Sequence, residues 1–257
     1  MRNFALSLTL LSPLFTMLPA DESEAGRFFR RDRCRPACRA VCAPTAANVP
    51  PAVTAPVPQR DPWRSLYDGK SLAGWEIAEE DEFYQHGKIA VNEGVIEMQM
   101  GSPSSGIRRA DEDGLLRENY ELAFDARRID GVDFFAGVTF PIAEDYCTLI
   151  IGGWSGTIVG LSNVDNLAAA DNDTTLTRDF ETDRWYRIRL RVSQHKVSAW
   201  IDAQQIVDLP RKDRKFAIWW EQEPMRPLGI ANWFTASQLR DIKVRPIEPE
   251  EIAADAP

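Results

Sequence analysis

Residues 184–207 read RWYRIRLRVSQHKVSAWIDAQQIV, and their alternation decides the fold. Tyr186, Ile188, Leu190 and Val192 are apolar at every second position, with Arg187, Arg189 and Arg191 between them. Successive side chains of a strand point to opposite faces, so this segment buries one face and wets the other. Gln194 and His195 form a turn, after which Val197, Ala199 and Ile201 keep the same period. The pair predicts an antiparallel hairpin.

The period recurs on both sides of the hairpin. Tyr120, Leu122, Phe124 and Ala126 alternate with Glu121, Ala123, Asp125 and Arg127, and Phe134, Ala136, Val138 and Phe140 continue the theme. Further strands are expected at 88–91, 94–100, 146–152, 156–161, 215–220, 228–233 and 239–246. Between Trp63 and Ile247 no 3.6-residue pattern is sustained. Helical crossovers are therefore missing, and a doubly wound sheet is excluded. One antiparallel sheet alone would leave an apolar face in water. The expected fold is all-β, a two-sheet antiparallel sandwich of the jelly-roll type over 63–247. No fixed repeat runs through the strands, which argues against a propeller.

The flanks differ from this domain in charge. The whole chain has 257 residues, 44% of them hydrophobic, and a net charge of -9. That balance argues against a nucleic-acid binder. Residues 1–20 read as an export signal, with Arg2 ahead of an apolar stretch from Phe4 to Leu18. The expected location is secreted, periplasmic or in the cell envelope. Residues 21–62 form a basic Cys/Arg arm and a Pro/Ala-rich linker, in which 21–60 carry seven arginines against four acids. The arm offers a contact to an anionic envelope surface. Cys34, Cys38 and Cys42 lack the two-residue spacing and fourth ligand of a structural zinc site, so disulfide pairing with one cysteine left over, or exposed thiols, is expected ahead of a three-thiolate metal site. Residues 248–257 read as a frayed acidic tail.

With only two histidines, chemistry must run on carboxylates and oxygen ligands. Glu121 and Asp125 face the same way on one strand, but four residues separate them by about 13 Å. A glycosidase pair needs roughly 5–9.5 Å, so either would need a partner on a neighbouring strand. The alternative is a solvated strand face. His86 in EDEFYQHGK is a candidate base, and Arg108 a candidate substrate ligand or surface ion-pair partner. In the loop LSNVDNLAAADNDTTL (161–176), Asp171 and Asp173, with Asp165 and Asn172, offer hard oxygen ligands for calcium or another divalent metal. Their spacing does not complete a calcium loop, and a solvated rim is the alternative. Ser155 lacks the nucleophile-elbow pattern, which removes serine hydrolase chemistry. His195 is a turn residue and Cys147 a buried small apolar one.

Eight tryptophans are an unusual inventory. Flat rings stack on sugars, so Trp154, Trp219, Trp220 and Trp233 are candidates to line a carbohydrate cleft, with core filler as the competing role. If 215–220 is a strand, only one of Trp219 and Trp220 can face the cleft.

The ends of the domain carry a resemblance. WRSLYDGKSLAGWE (63–76) and KIAVNEGVIEMQMGSPSSGIRR (88–109) open it, while DRWYRIRLRV (183–192), HKVSAWIDAQQIVD (195–208), PLGIANW (227–233) and LRDIKVRPI (239–247) close it. In this order they resemble the 3-keto-disaccharide hydrolase domain family. The resemblance implies a concanavalin-like, glucanase-like sandwich acting on sugars oxidised at C3. The 3-keto group acidifies the C2 proton, so cleavage can begin by elimination, with a divalent metal polarising the ketone in some members. The middle departs from the pattern. In DYCTLIIGG (145–153), Tyr146 matches the family's tyrosine, whereas Cys147, Leu149 and Gly152 stand near the family's polar Glu, Gln and Asp. That departure implies an altered substrate, or a non-catalytic carbohydrate-binding module.

Overall fold

The computed structural model describes residues 61–256 of the chain. In chain order the strands begin with β1 (Arg64–Ser65), β2 (Trp75–Ile77), β3 (Ile89–Asn92), β4 (Val95–Met98) and β5 (Ser104–Arg109). Next come β6 (Tyr120–Gly131), β7 (Ala136–Ile142), β8 (Asp145–Gly153), β9 (Ile158–Ser162) and β10 (Leu176–Thr177). The last are β11 (Tyr186–Val192), β12 (Lys196–Ile201), β13 (Gln204–Pro210), β14 (Gly229–Trp233) and β15 (Thr235–Pro246). Two 3-10 turns, Asp81–Phe83 and Trp220–Met225, and a short helix α1 (Pro249–Ala254) accompany them.

These strands make two antiparallel sheets packed face to face. The first runs β13-β12-β11-β6-β15-β4-β3, with β1 also beside β15, and the second runs β10-β9-β8-β7-β14-β5-β2. Late strands insert between early ones: β15 lies between β4 and β6, and β14 between β5 and β7. This interleaving across two sheets is that of a jelly roll.

Alternation explains the core. In the predicted hairpin Ile188 lies opposite Ile201 and Leu190 opposite Ala199, while on the other side Ile188 meets Phe124 and Leu190 meets Leu122. These residues, with Phe140, Leu149 and Ile151 of the second sheet, are buried in one cluster. Burying each such side chain contributes about 1.5–3 kcal/mol. Asn232 also fastens the sheets together. Its Oδ1 accepts from the Ser105 N–H (3.1 Å) on β5, and its Nδ2 donates to Ser237 Oγ (3.1 Å) and to the Met98 carbonyl (3.3 Å).

Two expectations are corrected. The stretch 215–220 is not a strand: Phe216 makes a single bridge to Val164, and Trp220 opens a 3-10 turn. Lys215 accepts a backbone hydrogen bond from Asp165 and Ala217 exchanges them with Asn163, but the chain turns into the 3-10 segment at Trp220 before a ladder can extend. The acidic tail is not frayed. Glu248 and Glu251 form a capping box at the start of α1, with Pro249 in its first turn. Glu251 then pairs with Arg191 and Arg245, each at 2.7 Å. The expected export signal and the arm up to residue 60, including Cys34, Cys38 and Cys42, lie outside the described residues. Among the described residues no helix is long and apolar enough to cross a membrane.

Candidate functional site

The outer face of the second sheet forms the floor of a cleft. On β8, Cys147, Leu149 and Ile151 join the core, while Thr148 and Ile150 point outward. Gly106 on β5 lets the connecting segments settle close, since a Cβ there would lie 2.8 Å from the side chains of Phe83 and Met225. Over this face lies a cleft of about 480 Å³. Trp154, Trp219, Trp220, Trp233 and Phe134 line it, together with Thr148, Ile150, Ser162 and the polar side chains of Asp133, Glu221 and Gln222.

Arg128 holds one wall. It is buried on β6, and its Nη2 donates to the carbonyl oxygens of Asp133 (3.2 Å), Gly152 (3.2 Å) and Gly156 (3.0 Å). The Gly152 and Gly156 carbonyls bracket the turn that presents Trp154, and Asp133 lies in the connection beside it. Gly152 has φ +78, and a Cβ there would lie 2.6 Å from Arg128 Nη2, so glycine suits both the turn and the arginine's approach. Asp133 Oδ1 accepts from the Phe134 N–H at 2.7 Å. Burial raises the Asp133 carboxyl above the ordinary aspartate range, against the backbone N–H groups of Phe134 and Trp154 and the charge of Arg128.

The opposite wall is the turn Trp220–Met225. Arg108 reaches it from β5, donating from Nη1 to the Pro224 carbonyl at 3.0 Å and pairing with Glu80 at 3.0 Å. Both Trp219 and Trp220 line the cleft, 43% and 59% exposed. The expectation that only one would do so assumed a strand, and the turn removes that constraint. Glu221 Oε2 and Gln222 Oε1 are buried without a hydrogen-bond partner among the described residues, although Gln222 is 5% exposed.

The candidate aromatic residues Trp154, Trp219, Trp220 and Trp233 thus come together. The candidate acids and base do not join them. Glu121 and Asp125 lie on the outer face of the first sheet. Glu121 is fully buried beneath Arg189 Nη1 (2.9 Å), Arg191 Nη2 (2.9 Å) and Arg245 Nη2 (2.7 Å). Asp125 is held by Arg187 (2.8 Å) and Arg240 (3.2 Å). His86 directs Nδ1 at the Gly87 carbonyl (2.8 Å) and Nε2 towards Glu79 (4.0 Å), apart from the cleft. Arg108 supports the cleft's turn rather than lining it.

The acidic loop does not suit a divalent metal. Asp165 and Asp173 both pair with Arg214, and Asn172 spends its amide on the carbonyl oxygens of Leu161, Leu167 and Ala168. Asp171 remains alone, and among the described residues no three His, Cys, Asp or Glu side chains are grouped to hold a metal ion. Cys147 is buried and has no disulfide partner among the described residues, and burial pushes its thiol up to about 12.

Asp133, Glu221 and Gln222 were not legible as site residues, because they sit in a strand-connecting loop and a 3-10 turn without a motif. The one available signal was adjacency: Glu221 and Gln222 directly follow the paired tryptophans.

Residues 62–245 match the 3-keto-alpha-glucoside-1,2-lyase-like domain. The chain belongs to this family. The resemblance drawn from its terminal motifs therefore holds over the whole sandwich. Comparison with curated proteins returns no match. Among solved structures, it is similar to the carbohydrate-binding module CBM66 from Bacillus subtilis, with 11% identity over 67% of this chain and 95% of that one, TM-score 0.44. It is also similar to domain 4 of AbnA, an extracellular arabinanase from Geobacillus stearothermophilus in complex with arabinotriose. There the identity is 14% over 71% of this chain and 88% of that one, with TM-score 0.43. At these values the likeness is a loose one of fold.

For a 3-keto-alpha-glucoside-1,2-lyase-like domain, the register of β8 matters. Matching by letters put Cys147 and Leu149 at the family's polar positions, but both face the core. Thr148 and Ile150 are the side chains that β8 turns to the cleft, so this strand offers it a hydroxyl and no carboxylate.

Proposed function

We propose that the tryptophan-walled cleft holds a 3-keto-glycoside and that Asp133 removes the C2 proton of the oxidised ring. The observation that carries this reading is the meeting of four tryptophans with a half-buried carboxylate of raised pKa in one cleft. A base works best with its pKa moved towards the working pH. Indole rings would sandwich the sugar, and the hydroxyls of Thr148 and Ser162 on the cleft lining would meet its polar groups. The C2–H electron pair forms a C1–C2 double bond as the C1–oxygen bond breaks, and the departing oxygen takes a proton from solvent. The oxygen of a water then bonds to C1 as Asp133 returns its proton to C2, giving the 3-keto sugar, and the proton this water loses replaces the one that solvent gave to the leaving oxygen. The apolar stretch Phe4–Leu18 behind Arg2 supports an exported setting for this reaction.

A second reading is a cleft that binds saccharides without cleaving them. The absence of a carboxylate or amide among the β8 side chains that line the cleft favours it. Incubation with a 3-keto-disaccharide and with its unoxidised parent separates the two. Release of monosaccharide from the oxidised sugar supports the lyase reading. A change in tryptophan fluorescence without release supports the binding reading, and silence in both assays refutes both.

A further inference from the structure

The outer face of the first sheet carries a ladder of cations in register. On β11, β6 and β15 the cross-strand rows are Arg191–Glu121–Arg245, Arg189–Ala123–Lys243 and Arg187–Asp125–Arg240. In the outer two rows a carboxylate stands between two cations and pairs with both. The middle row repeats the cations, but its central residue is alanine. Arg189 leans diagonally to Glu121 (2.9 Å), and Lys243 has no ion-pair partner among the described residues. Its Nζ instead lies 5.1 Å from the centroid of the Trp63 ring.

Around Ala123 this leaves a cavity of about 380 Å³, lined by Trp63, Arg187, Arg189, Lys243 and Arg245, and by Glu121, whose carboxylate is already taken up by Arg189, Arg191 and Arg245. The ladder also accepts a carboxylate from outside the sheet. Glu251 of α1 seats between Arg191 and Arg245 at 2.7 Å from each. Even with it, six cations face three carboxylates. This surplus is concentrated on one face of a chain whose overall charge is -9.

We propose that the cavity over Ala123 is a second ligand site, which binds an oxyanion borne by an acidic polysaccharide between Arg189 and Lys243. The oxyanion completes the row that alanine leaves open, as Glu121 and Asp125 complete theirs. Charge-assisted hydrogen bonds of this kind are short and strong. Guanidiniums lie over Trp185 and Trp200, with Arg240 and Arg189 4.1 Å and 4.5 Å from the ring centroids. The face therefore presents cations rather than rings for base stacking. Duplex DNA, with one charge per ~1.7 Å, would also bring neighbouring phosphates against the acidic remainder.

The test uses the full chain, with polygalacturonate as the carboxylate probe, dextran sulfate as the sulfate probe, neutral dextran as control and a single-stranded oligonucleotide as the competing class. Wild type should bind at least one acidic polysaccharide in a salt-sensitive manner and ignore neutral dextran. Whichever of the two binds identifies the oxyanion. Ala123→Asp supplies the missing carboxylate internally, and Lys243→Gln removes one of its holders. Each should weaken binding about tenfold, the equivalent of one strong ionic contact. Lys243→Gln keeps the test decisive if Ala123→Asp does not fold. Equal binding by folded variants would assign the affinity to another basic region, such as residues 21–60, and overturn the proposal. Failure to bind either acidic polysaccharide, or binding of the oligonucleotide alone, would also overturn it.

Discussion

Arg108 Nη1 lies 3.0 Å from the carbonyl oxygen of Pro224, and this hydrogen bond ties strand β5 to the turn that carries Trp220. Arg108 is thus a positioning residue for the aromatic wall. Arg108→Ala should loosen the wall and weaken saccharide binding about three- to tenfold, equivalent to roughly 0.7–1.4 kcal/mol and within the net worth of one hydrogen bond. The β-sheet circular dichroism should not change. Titration followed by tryptophan fluorescence checks this, and unaltered affinity would show that the wall stands without the arginine.

Trp219 and Trp220 are exposed, so neither holds the core. Trp219→Ala and Trp220→Ala should each leave stability within about 0.5 kcal/mol of wild type. Each should cost the cleft about 1 kcal/mol of stacking with a sugar ring. Thermal melts and saccharide titrations read these two quantities separately. A large fall in melting temperature with unchanged binding would reverse the assignment.

Glu251 links pH to stability. Its hydrogen bond to Arg245, with Arg191 alongside, holds its carboxyl at about 2 against an ordinary 4.5. A lowered carboxylate pKa favours the folded state above the unfolded value, and that contribution fades as pH falls towards the folded value. The melting-temperature gap between wild type and Glu251→Gln should therefore be full above about 4.5 and close as pH falls towards about 2. A gap that stays constant across this window would show that the carboxylate is not responsible.

Cys147 should resist alkylation in the folded protein. Its thiol is buried, with a pKa pushed up to about 12, so little reactive thiolate forms near neutral pH. Peptide mapping after iodoacetamide treatment should show Cys147 unmodified until denaturant is added. Labelling under native conditions would contradict its burial.

The fold was legible because period two is a property of each strand alone: the 186–201 hairpin and the 120–126 strand declare their buried faces locally. The aromatic cleft was half legible, since sugar-binding rings are a matter of residue type, but their convergence depends on turns. Glu121 shows where the reading failed. On its own strand it alternates as an outward residue, which reads as solvated. Its cover comes from Arg189 and Arg191 on β11 and Arg245 on β15, which only the sheet order brings together. Asp133 failed for the opposite reason. It lies in a connection, and its raised pKa comes from burial that no local pattern encodes.

Proton exchange at C2 is the most direct measure of the cleft's chemistry. In deuterium oxide, wild type should exchange the C2 proton of a 3-keto-glycoside for deuterium, seen by proton NMR, faster than the uncatalysed background. Asp133→Asn should bind the same sugar with similar affinity and lower that exchange by about 10²–10⁴, the span of a positioned general base. Exchange at background rate with wild type, or undiminished exchange with Asp133→Asn, would contradict the role given to Asp133.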